Sequence, residues 1–176
     1  MDIIVGRSGE HSQAFAKCGI NVMNKLNISF TGEYQYTIDN KGRLNIPAKF
    51  RKALHPDNDK TFVITRGFDP CLLVYPIEEW RTVEQQLSLL SSIKNKDRSF
   101  VRSVVRYATY SQYDGQGRIQ IPDTLIKFGN IKKDVIIIGM IKKIELWNPN
   151  ELKNIDRKNT KDDGNNFEDL ANEINF

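Results

Sequence analysis

The chain has 176 residues, enough for one medium-sized domain or two small ones, and its 39% hydrophobic and 27% charged residues suit a globular protein with an apolar core. No stretch of the sequence approaches the roughly 18 consecutive apolar residues of a membrane-spanning helix. The chain has only two cysteines and two histidines, and their spacing matches no known metal-ligand pattern, so the usual zinc sites are difficult to form. We expect neither a metal nor another cofactor.

The net charge of +4 is unevenly distributed along the chain. Residues 30–151 hold 19 Lys and Arg against 14 Asp and Glu, whereas residues 153–176 hold four against six. A basic body permits binding to nucleic acid without requiring it. The first residues contain no basic stretch followed by an apolar core, and the cysteines form no disulfide framework, so we expect a cytoplasmic protein.

The first elements predicted in chain order are two short strands joined by a tight turn. Residues Tyr34–Asp39 alternate in polarity as a strand does. Asp39 favours the first position of a type I turn, and Gly42 tolerates the left-handed conformation that closes a three-residue hairpin loop with a bulge. Residues Arg43–Ile46 alternate again, and Pro47 then opens a short helix that ends at residue 54.

Two strands and two helices are predicted next. Residues 62–67 and 72–75 are rich in apolar and β-branched side chains, which favour strands. Apolar side chains at three- and four-residue spacing predict a helix over residues 76–94, and a second helix is predicted over residues 98–108. We expect both helices to join the two halves of the chain and to pack on them.

The turn and its flanking residues occur twice. Asp39-Asn40-Lys41-Gly42-Arg43-Leu44-Asn45-Ile46-Pro47 recurs 75 residues later as Asp114-Gly115-Gln116-Gly117-Arg118-Ile119-Gln120-Ile121-Pro122. The similarity continues downstream, where residues 62–67 parallel residues 134–139 and residues 72–75 parallel residues 144–147. A unit of about 45 to 50 residues is therefore duplicated.

The second copy has the same order of elements as the first. A short helix is predicted over residues 123–128, with Gly129 as its C-terminal stop, and the apolar run over residues 135–141 predicts a buried strand. The fold class is therefore α+β, with linking and flanking helices. The predicted divisions are a poorly ordered extension (1–29), a first unit (33–79), a helical linker (80–108), a second unit (109–152) and a polar, disordered tail (153–176).

The repeated turn is the strongest candidate for a binding site. An arginine at the base of a rigid hairpin can contact guanine bidentately or clamp a phosphate, and Arg43 and Arg118 hold this position. Lys41 adds a cation at the tip of the first turn. Gln116 stands at the tip of the second turn and brings no charge, so we expect the two turns to contribute unequally.

The same spacing allows Asp39 and Asp114 to form ion pairs with the arginines. Such pairs either lock the turn and do no more, or also orient the guanidinium toward a ligand. They argue against a carboxylate dyad of the aspartic protease kind, because an arginine four residues away lowers the pKa of each acid and prevents proton sharing. The sequence contains no P-loop and no nucleophile elbow, and we expect no enzyme activity.

Residues 30–34, together with the Asp-x-Lys-Gly-Arg-x-x-x-Pro-Ala-Lys-Phe-Arg run over residues 39–51, resemble the start of the MraZ family. Residues 114–122 and 144–147 resemble the second half of that family, so that the resemblance covers residues 30–152. It implies a pair of SpoVT-AbrB-like domains, that is, duplicated swapped-hairpin β-barrel units. The chain departs from the family in its N-terminal extension and its long polar tail.

The resemblance also implies a function. Members of this family assemble into ring-like oligomers and regulate transcription by binding short repeats in the promoter of the division and cell-wall gene cluster. The implied partners are double-stranded promoter DNA and further copies of the chain, in the nucleoid region of the cytoplasm, with no membrane and no small-molecule substrate. The predicted DNA-binding residues are Arg43, Arg118, Lys41, Asp39, Asp114 and Gln116.

Two alternatives stay open from the sequence. The same units could serve assembly alone, or could form an antitoxin-like AbrB-type DNA-binding protein, although that class usually has one hairpin unit per chain.

Two weaker features of the sequence also bear on DNA binding. The second predicted helix carries a stripe of arginines, which we expect to be a solvated or interdomain face. Two aromatic residues occupy equivalent strand positions, and we expect them in the core or an interface rather than stacked on bases. These residues are Arg98, Arg102 and Arg106, and Tyr75 and Trp147.

Overall fold

The computed structural model describes residues 28–162 and residue 173. The chain forms eight strands and five α-helices within these residues, with a 3₁₀ turn at Pro56–Asn58. In chain order the elements are β1 (Phe30–Thr37), β2 (Arg43–Asn45), α1 (Ala48–Lys52), β3 (Thr61–Arg66), β4 (Cys71–Pro76), α2 (Ile77–Ser88), α3 (Asn95–Val105), β5 (Thr109–Gln112), β6 (Arg118–Gln120), α4 (Asp123–Phe128), β7 (Asp134–Ile141), β8 (Lys143–Trp147) and α5 (Pro149–Asp162). The predicted α+β class is confirmed.

The two repeats exchange their first strands within the large sheet, while β3 pairs with β4 and β7 pairs with β8 inside each repeat. One antiparallel sheet has the order β1-β7-β8-β4-β3-β5, and a second sheet consists of β2 and β6. Strand β1 of the first repeat pairs with β7 of the second, and β5 of the second repeat pairs with β3 of the first. Strands β4 and β8 pair with each other at the centre. Strands β1 to β4 of the first repeat correspond to β5 to β8 of the second, and exchanging the two sets leaves the list of paired strands the same. The two repeats are therefore related by an internal pseudo-twofold axis.

The strand pairing corrects the alignment of the repeats by one residue in β3 and β7. Tyr36 faces Val135, and Ser111, which lies 75 residues after Tyr36, faces Phe62. Phe62 is therefore equivalent to Val135, and not to Asp134 as the sequence suggested. Both equivalent side chains are buried in the same core. A run of β-branched residues matches in either register, and only the cross-strand pairing decides which side chains face inward.

The main core lies beneath the two-stranded sheet and receives side chains from both repeats. Leu44 and Ile46 of the first repeat and Ile119 and Ile121 of the second are all 0% exposed. Burial of an aliphatic side chain of this size stabilises the fold by about 1.5–3 kcal/mol. The short strands β2 and β6 are therefore held by the core below them as well as by their hydrogen bonds.

A second apolar cluster lies on the opposite face of the large sheet. It contains Cys71, Leu73, Ile136 and Trp147, with Tyr75 packed against it. The expectation that the two aromatic residues belong to the core rather than to a base-stacking surface is confirmed for the buried Trp147 and the half-buried Tyr75. 

The predicted boundaries of the two central helices are wrong. Helix α2 ends at Ser88 instead of residue 94, and α3 begins at Asn95 instead of residue 98. The cause lies in Ser91, whose Oγ accepts hydrogen bonds from two following backbone N–H groups and whose own N–H donates to the Asp97 carboxylate at 3.0 Å. These local bonds compete with the helical ones and interrupt the helix between Ser88 and Asn95.

Two further expectations are corrected. The strand predicted to be buried ends in the exposed Met140 and Ile141, because β7 extends beyond the core. Residues 153–162 of the tail predicted to be disordered belong to α5, whose Leu152 and Ile155 pack against the second cluster. The expectations for residues 1–27 and for the rest of the tail lie outside the described residues, apart from the exposed residue 173. No helix in the described part of the chain is long and apolar enough to cross a membrane.

Candidate nucleic-acid interface

The first turn is organised by the carboxylate of Asp39. The Gly42 N–H donates to the Asp39 carbonyl at 2.9 Å, and the Asp39 N–H donates to the Arg43 carbonyl at 3.0 Å. Oδ1 of Asp39 accepts from the backbone N–H groups of Lys41 and Arg43 at 2.9 and 3.0 Å. Gly42 has φ of +74°, the left-handed conformation that a side chain would strain. The predicted three-residue loop is therefore confirmed.

The other carboxylate oxygen holds the guanidinium. Oδ2 of Asp39 accepts from Nε of Arg43 at 2.7 Å and lies 2.7 Å from its Nη2. In the second turn Oδ2 of Asp114 is 2.8 Å from Nε and 2.6 Å from Nη2 of Arg118. Nη1 of neither arginine makes a hydrogen bond to any described residue. The predicted ion pairs thus exist, and each leaves one edge of the guanidinium available to a ligand.

Each arginine shifts the pKa of its partner acid. The side-chain hydrogen bond from Arg43, followed by that from its backbone N–H, lowers the pKa of Asp39 to about 2. The same two contacts from Arg118 lower the pKa of Asp114 to about 2. Both carboxylates are ionised at neutral pH, so the turns keep their hydrogen bonds under physiological conditions.

Pairing of β2 with β6 brings the two turns onto one two-stranded ribbon. Arg43 faces Gln120, and Asn45 faces Arg118. Because the intervening residues point into the core, these four side chains lie on the outward face. The ribbon is closed at both ends by hydrogen bonds from Ile121 N to Gly42 O at 2.8 Å and from Ile46 N to Gly117 O at 2.9 Å. A two-stranded β-ribbon of this kind fits the major groove of DNA.

The structure brings all six predicted site residues to this ribbon. The tip residues Lys41 and Gln116 are exposed, and Gln120 donates from Nε2 to the carbonyl of Lys41 at 2.6 Å. Sequence reasoning did not single out Asn45 and Gln120 as site residues, although the alternation of the strand places them beside the arginines. The signal that could have found them is the same period of two that located the buried positions.

Sequence reasoning also missed Arg51 of α1. Its Nε donates to the carbonyl of Ile46 at 3.0 Å, and its guanidinium lies 5.8 Å from the ring centroid of Tyr113. The residue belongs to the first repeat, yet it lies against Gly117 of the second turn. Nothing in the spacing of the sequence indicates this neighbour, because the contact depends on the pairing of the two repeats.

The arginine stripe of α3 lies elsewhere in the fold. Helix α3 packs on β3, where Thr65 Oγ1 donates to the carbonyl of Val104 at 3.0 Å. Nη1 of Arg98 donates to the carbonyls of Ser92 and Ile93, a contact that closes the turn before the helix. Arg106 has its guanidinium 5.3 Å from the ring centroid of Tyr107. These contacts are structural and agree with the expected solvated or interdomain face.

Helices α2 and α3 expose apolar side chains beside a cleft of about 430 Å³. We call this region the α2–α3 apolar surface. Phe68 and Ile93 are 85% and 87% exposed, and Phe68 stacks on Phe100 with ring centroids 6.3 Å apart. The complete set of exposed apolar residues in this region is Phe68, Leu89, Leu90, Ile93, Phe100 and Val105. Exposed apolar surface of this kind is typical of an interaction site.

No cluster of His, Cys, Asp or Glu side chains within the described ranges is suited to hold a metal ion.

A family model described as "MraZ protein, putative antitoxin-like" matches residues 29–103 and 105–173 of this chain. The two matched segments each contain one of the Asp-x-x-Gly-Arg turns.

Similar proteins carry the name "Transcriptional regulator MraZ". The one from Pediococcus pentosaceus is 41% identical over 142 residues, which cover 81% of this chain and 94% of that protein. The one from Halothermothrix orenii is 48% identical over 118 residues, covering 67% and 80% of the two chains. The one from Limosilactobacillus reuteri is 40% identical over 145 residues, covering 82% and 96%.

Proposed function

This chain belongs to the MraZ family, and we propose on that basis that it regulates transcription by placing the β2–β6 ribbon against double-stranded promoter DNA. Arg43 and Arg118 are the principal contacts. The observation that carries this proposal is the position of both guanidinium groups on the outward face of one ribbon, each held by its own aspartate. The named relatives are themselves transcriptional regulators, which supports DNA as the partner.

The chemistry of the ribbon suits this role. Because Asp39 and Asp114 fix the arginines before DNA arrives, binding orders few side chains and loses little conformational entropy. The edge of each guanidinium that points away from its aspartate donates to guanine or to a phosphate. A good contact between arginine and guanine discriminates against other bases by about 1–3 kcal/mol. Lys41 neutralises a phosphate, and Gln116 donates a hydrogen bond without charge.

The finer features of the proposal concern the target and the assembly. The DNA target is a set of short repeats in the promoter of the division and cell-wall gene cluster, bound in the nucleoid by a ring-like oligomer of this chain without enzyme activity. The exchanged strands support a pair of swapped-hairpin AbrB-like units, and the α2–α3 apolar surface supports self-association. Several ribbons on one ring would bind repeated sites far more tightly than one ribbon alone.

Substitution of Arg43 tests the proposal. In a fluorescence anisotropy titration with a duplex from the chain's own upstream promoter, we expect Arg43→Ala to weaken binding by tenfold or more, as a loss of about 1.4 kcal/mol or more per contact requires. The control is Arg81→Ala, because Arg81 is exposed on α2, which packs on β3 and β4 and is not part of the ribbon. Unchanged affinity of a folded Arg43→Ala protein would exclude the ribbon as the DNA contact.

The salt dependence separates DNA binding from a role in assembly alone. The logarithm of the association constant should fall with the logarithm of salt concentration by about 0.9 for each phosphate neutralised. A protein whose units serve only assembly would show no such dependence and would not distinguish the promoter duplex from a scrambled one.

A further inference from the structure

The two turns differ in the residues that surround them. Lys41 at the first tip corresponds to Gln116 at the second, and Arg51 of α1 corresponds to Ile126 of α4, 75 residues later. Taken along the sequence, both cations belong to the first repeat. The second turn then has no cation besides Arg118, whose charge is matched by its aspartate.

The exchange of strands changes this distribution. A side chain at Gly117 would meet the guanidinium of Arg51, with Nε only 2.5 Å and Nη1 2.9 Å from the position of its Cβ. At the corresponding position of Gly42 an added Cβ would lie 2.9 Å from the carbonyl oxygen of Ile121, 3.0 Å from Nε2 of Gln120 and 3.3 Å from Cδ1 of Ile126. Each turn is therefore covered by a residue from the short helix of the other repeat. The second turn receives a cation in this way, and the first receives an aliphatic side chain.

The hydrogen bonds fix Arg51 beside the second turn. The carbonyl of Ile46 accepts a hydrogen bond from Nε of Arg51 at 3.0 Å, and the N–H of Ile46 donates to the carbonyl of Gly117 at 2.9 Å. One residue of the ribbon thus holds both the arginine and the turn. Nη1 and Nη2 of Arg51 make no hydrogen bond to another described residue, which leaves both donors of the fork for a ligand.

The charge balance of the ribbon gives this position its importance. Asp39 with Arg43 and Asp114 with Arg118 are ion pairs, so each pair has no net charge. A neutral pair can hydrogen-bond to a base, but the attraction to a polyanion must come from further cations close by. Lys41 supplies such a cation at the first turn, and Arg51 lies where it would supply one at the second.

We propose that Arg51 and the tip of the second turn form a binding site for a DNA backbone phosphate. Arg51 supplies to the second turn, from the opposite repeat, the charge that Lys41 supplies to the first. The planar fork of a guanidinium with two free Nη groups matches the oxygens of a phosphate. This inference rests on the proposed DNA binding. The sequence predicted that the two turns contribute unequally, because only the first has a lysine at its tip; with Arg51 beside the second turn, each turn has one cation besides its Asp–Arg pair.

The test compares the salt dependence of promoter binding for the full chain and four variants. Arg51→Gln removes the charge but keeps an amide that can donate to Ile46, and Lys41→Gln removes the matching charge at the first turn. We expect each to lower the slope of log affinity against log salt by about 0.9 per engaged subunit and to weaken binding roughly tenfold at low salt. Arg81→Gln removes an exposed charge on α2 and should leave the slope unchanged.

The fourth variant separates charge from packing. Gln116→Lys added to Arg51→Gln returns a cation to the second tip without returning the contact with Gly117, so we expect the slope to recover. Circular dichroism checks that each variant is folded. The phosphate site is overturned if a folded Arg51→Gln protein keeps the wild-type slope of log affinity against log salt concentration. It is also overturned if that slope does not recover in the double variant. If Arg43→Ala also binds like wild type, or if the wild-type slope is flat, the proposed function itself fails.

Discussion

A single carboxylate in each turn performs two tasks, and this explains an acid on a surface that we propose to meet DNA. One oxygen of Asp39 accepts from two backbone N–H groups and closes the loop, and the other accepts from the guanidinium of Arg43. Without the acid the loop would lose its internal acceptor, and the arginine would sample many rotamers. The cost of one negative charge is offset by a guanidinium held in a single orientation.

The pairs predict a pH dependence at the residue scale. The pKa of Asp39 lies at about 2 in the folded chain, below its ordinary value of 3.8, so its pair contributes to stability above pH 4 and loses that contribution as the pH falls toward 2. We expect Arg43→Ala to return the pKa of Asp39 toward 3.8, because the main cause of its shift is removed.

Carboxyl carbon NMR titration measures this directly, and the second turn supplies an internal control. Asp114 keeps its own arginine in the Arg43→Ala protein, so its midpoint should stay at about 2. If the midpoint of Asp39 does not move when Arg43 is replaced, the hydrogen bond between them is not the cause of the low pKa.

At the scale of elements, the two shortest strands carry the proposed site. Strands β2 and β6 have three residues each, which is too short for an independent ribbon. They are stable because Leu44 and Ile119 are buried beneath them and because each turn receives a hydrogen bond from the other strand. The site is therefore rigid only as part of the whole core.

The pairing of β1 with β7 depends on a glycine. A Cβ at Gly139 would lie 2.5 Å from the carbonyl carbon of Phe30 and 2.6 Å from the N of Thr31, and these are backbone atoms that cannot rotate away. We expect Gly139→Ala to lower the free energy of unfolding by about 1–3 kcal/mol or more, because the strands must separate.

Urea unfolding of a matched pair of variants checks this prediction. At Gly129 the nearest atoms to an added Cβ are side-chain carbons at 3.4 to 3.5 Å, an ordinary contact distance. Gly129→Ala should therefore change the midpoint far less than Gly139→Ala. Equal urea midpoints for the two variants would contradict the prediction, because the pairing of β1 with β7 would then tolerate a side chain at residue 139.

At the scale of the whole molecule, neither repeat contains a complete sheet. Strand β1 has its partner in the second repeat, and β5 has its partner in the first. The main core also takes its buried side chains from both halves. A single repeat on its own would expose the edges of two strands and most of one face of apolar residues.

We therefore expect that residues 28–106 and residues 107–162, produced separately, give no folded monomer. The expected result for each is an unfolded chain or a self-associated one, and mixing the two should restore the strand signal in circular dichroism and a 1:1 complex in size-exclusion chromatography. A cooperative unfolding transition from a monomer of either half would contradict the exchange of strands.

The sequence by itself determined the local features of this protein. The two turns, the pairing of each aspartate with the arginine four residues later, the alternation that buries Leu44 and turns Arg43 outward, and the order of the elements from β1 to β8 all followed from it. These features depend on residues within one turn or one strand of each other, and the duplication of the motif repeated the same local information.

Only the tertiary structure decided the features that join distant residues. These are the exchange of strands, the equivalence of Phe62 with Val135 in the two repeats, and the place of Arg51 at the second turn. Several strands in both repeats are apolar and β-branched, so that many pairings satisfy the same local pattern. The free energy that selects one pairing is spread over the whole core, and no short segment contains it.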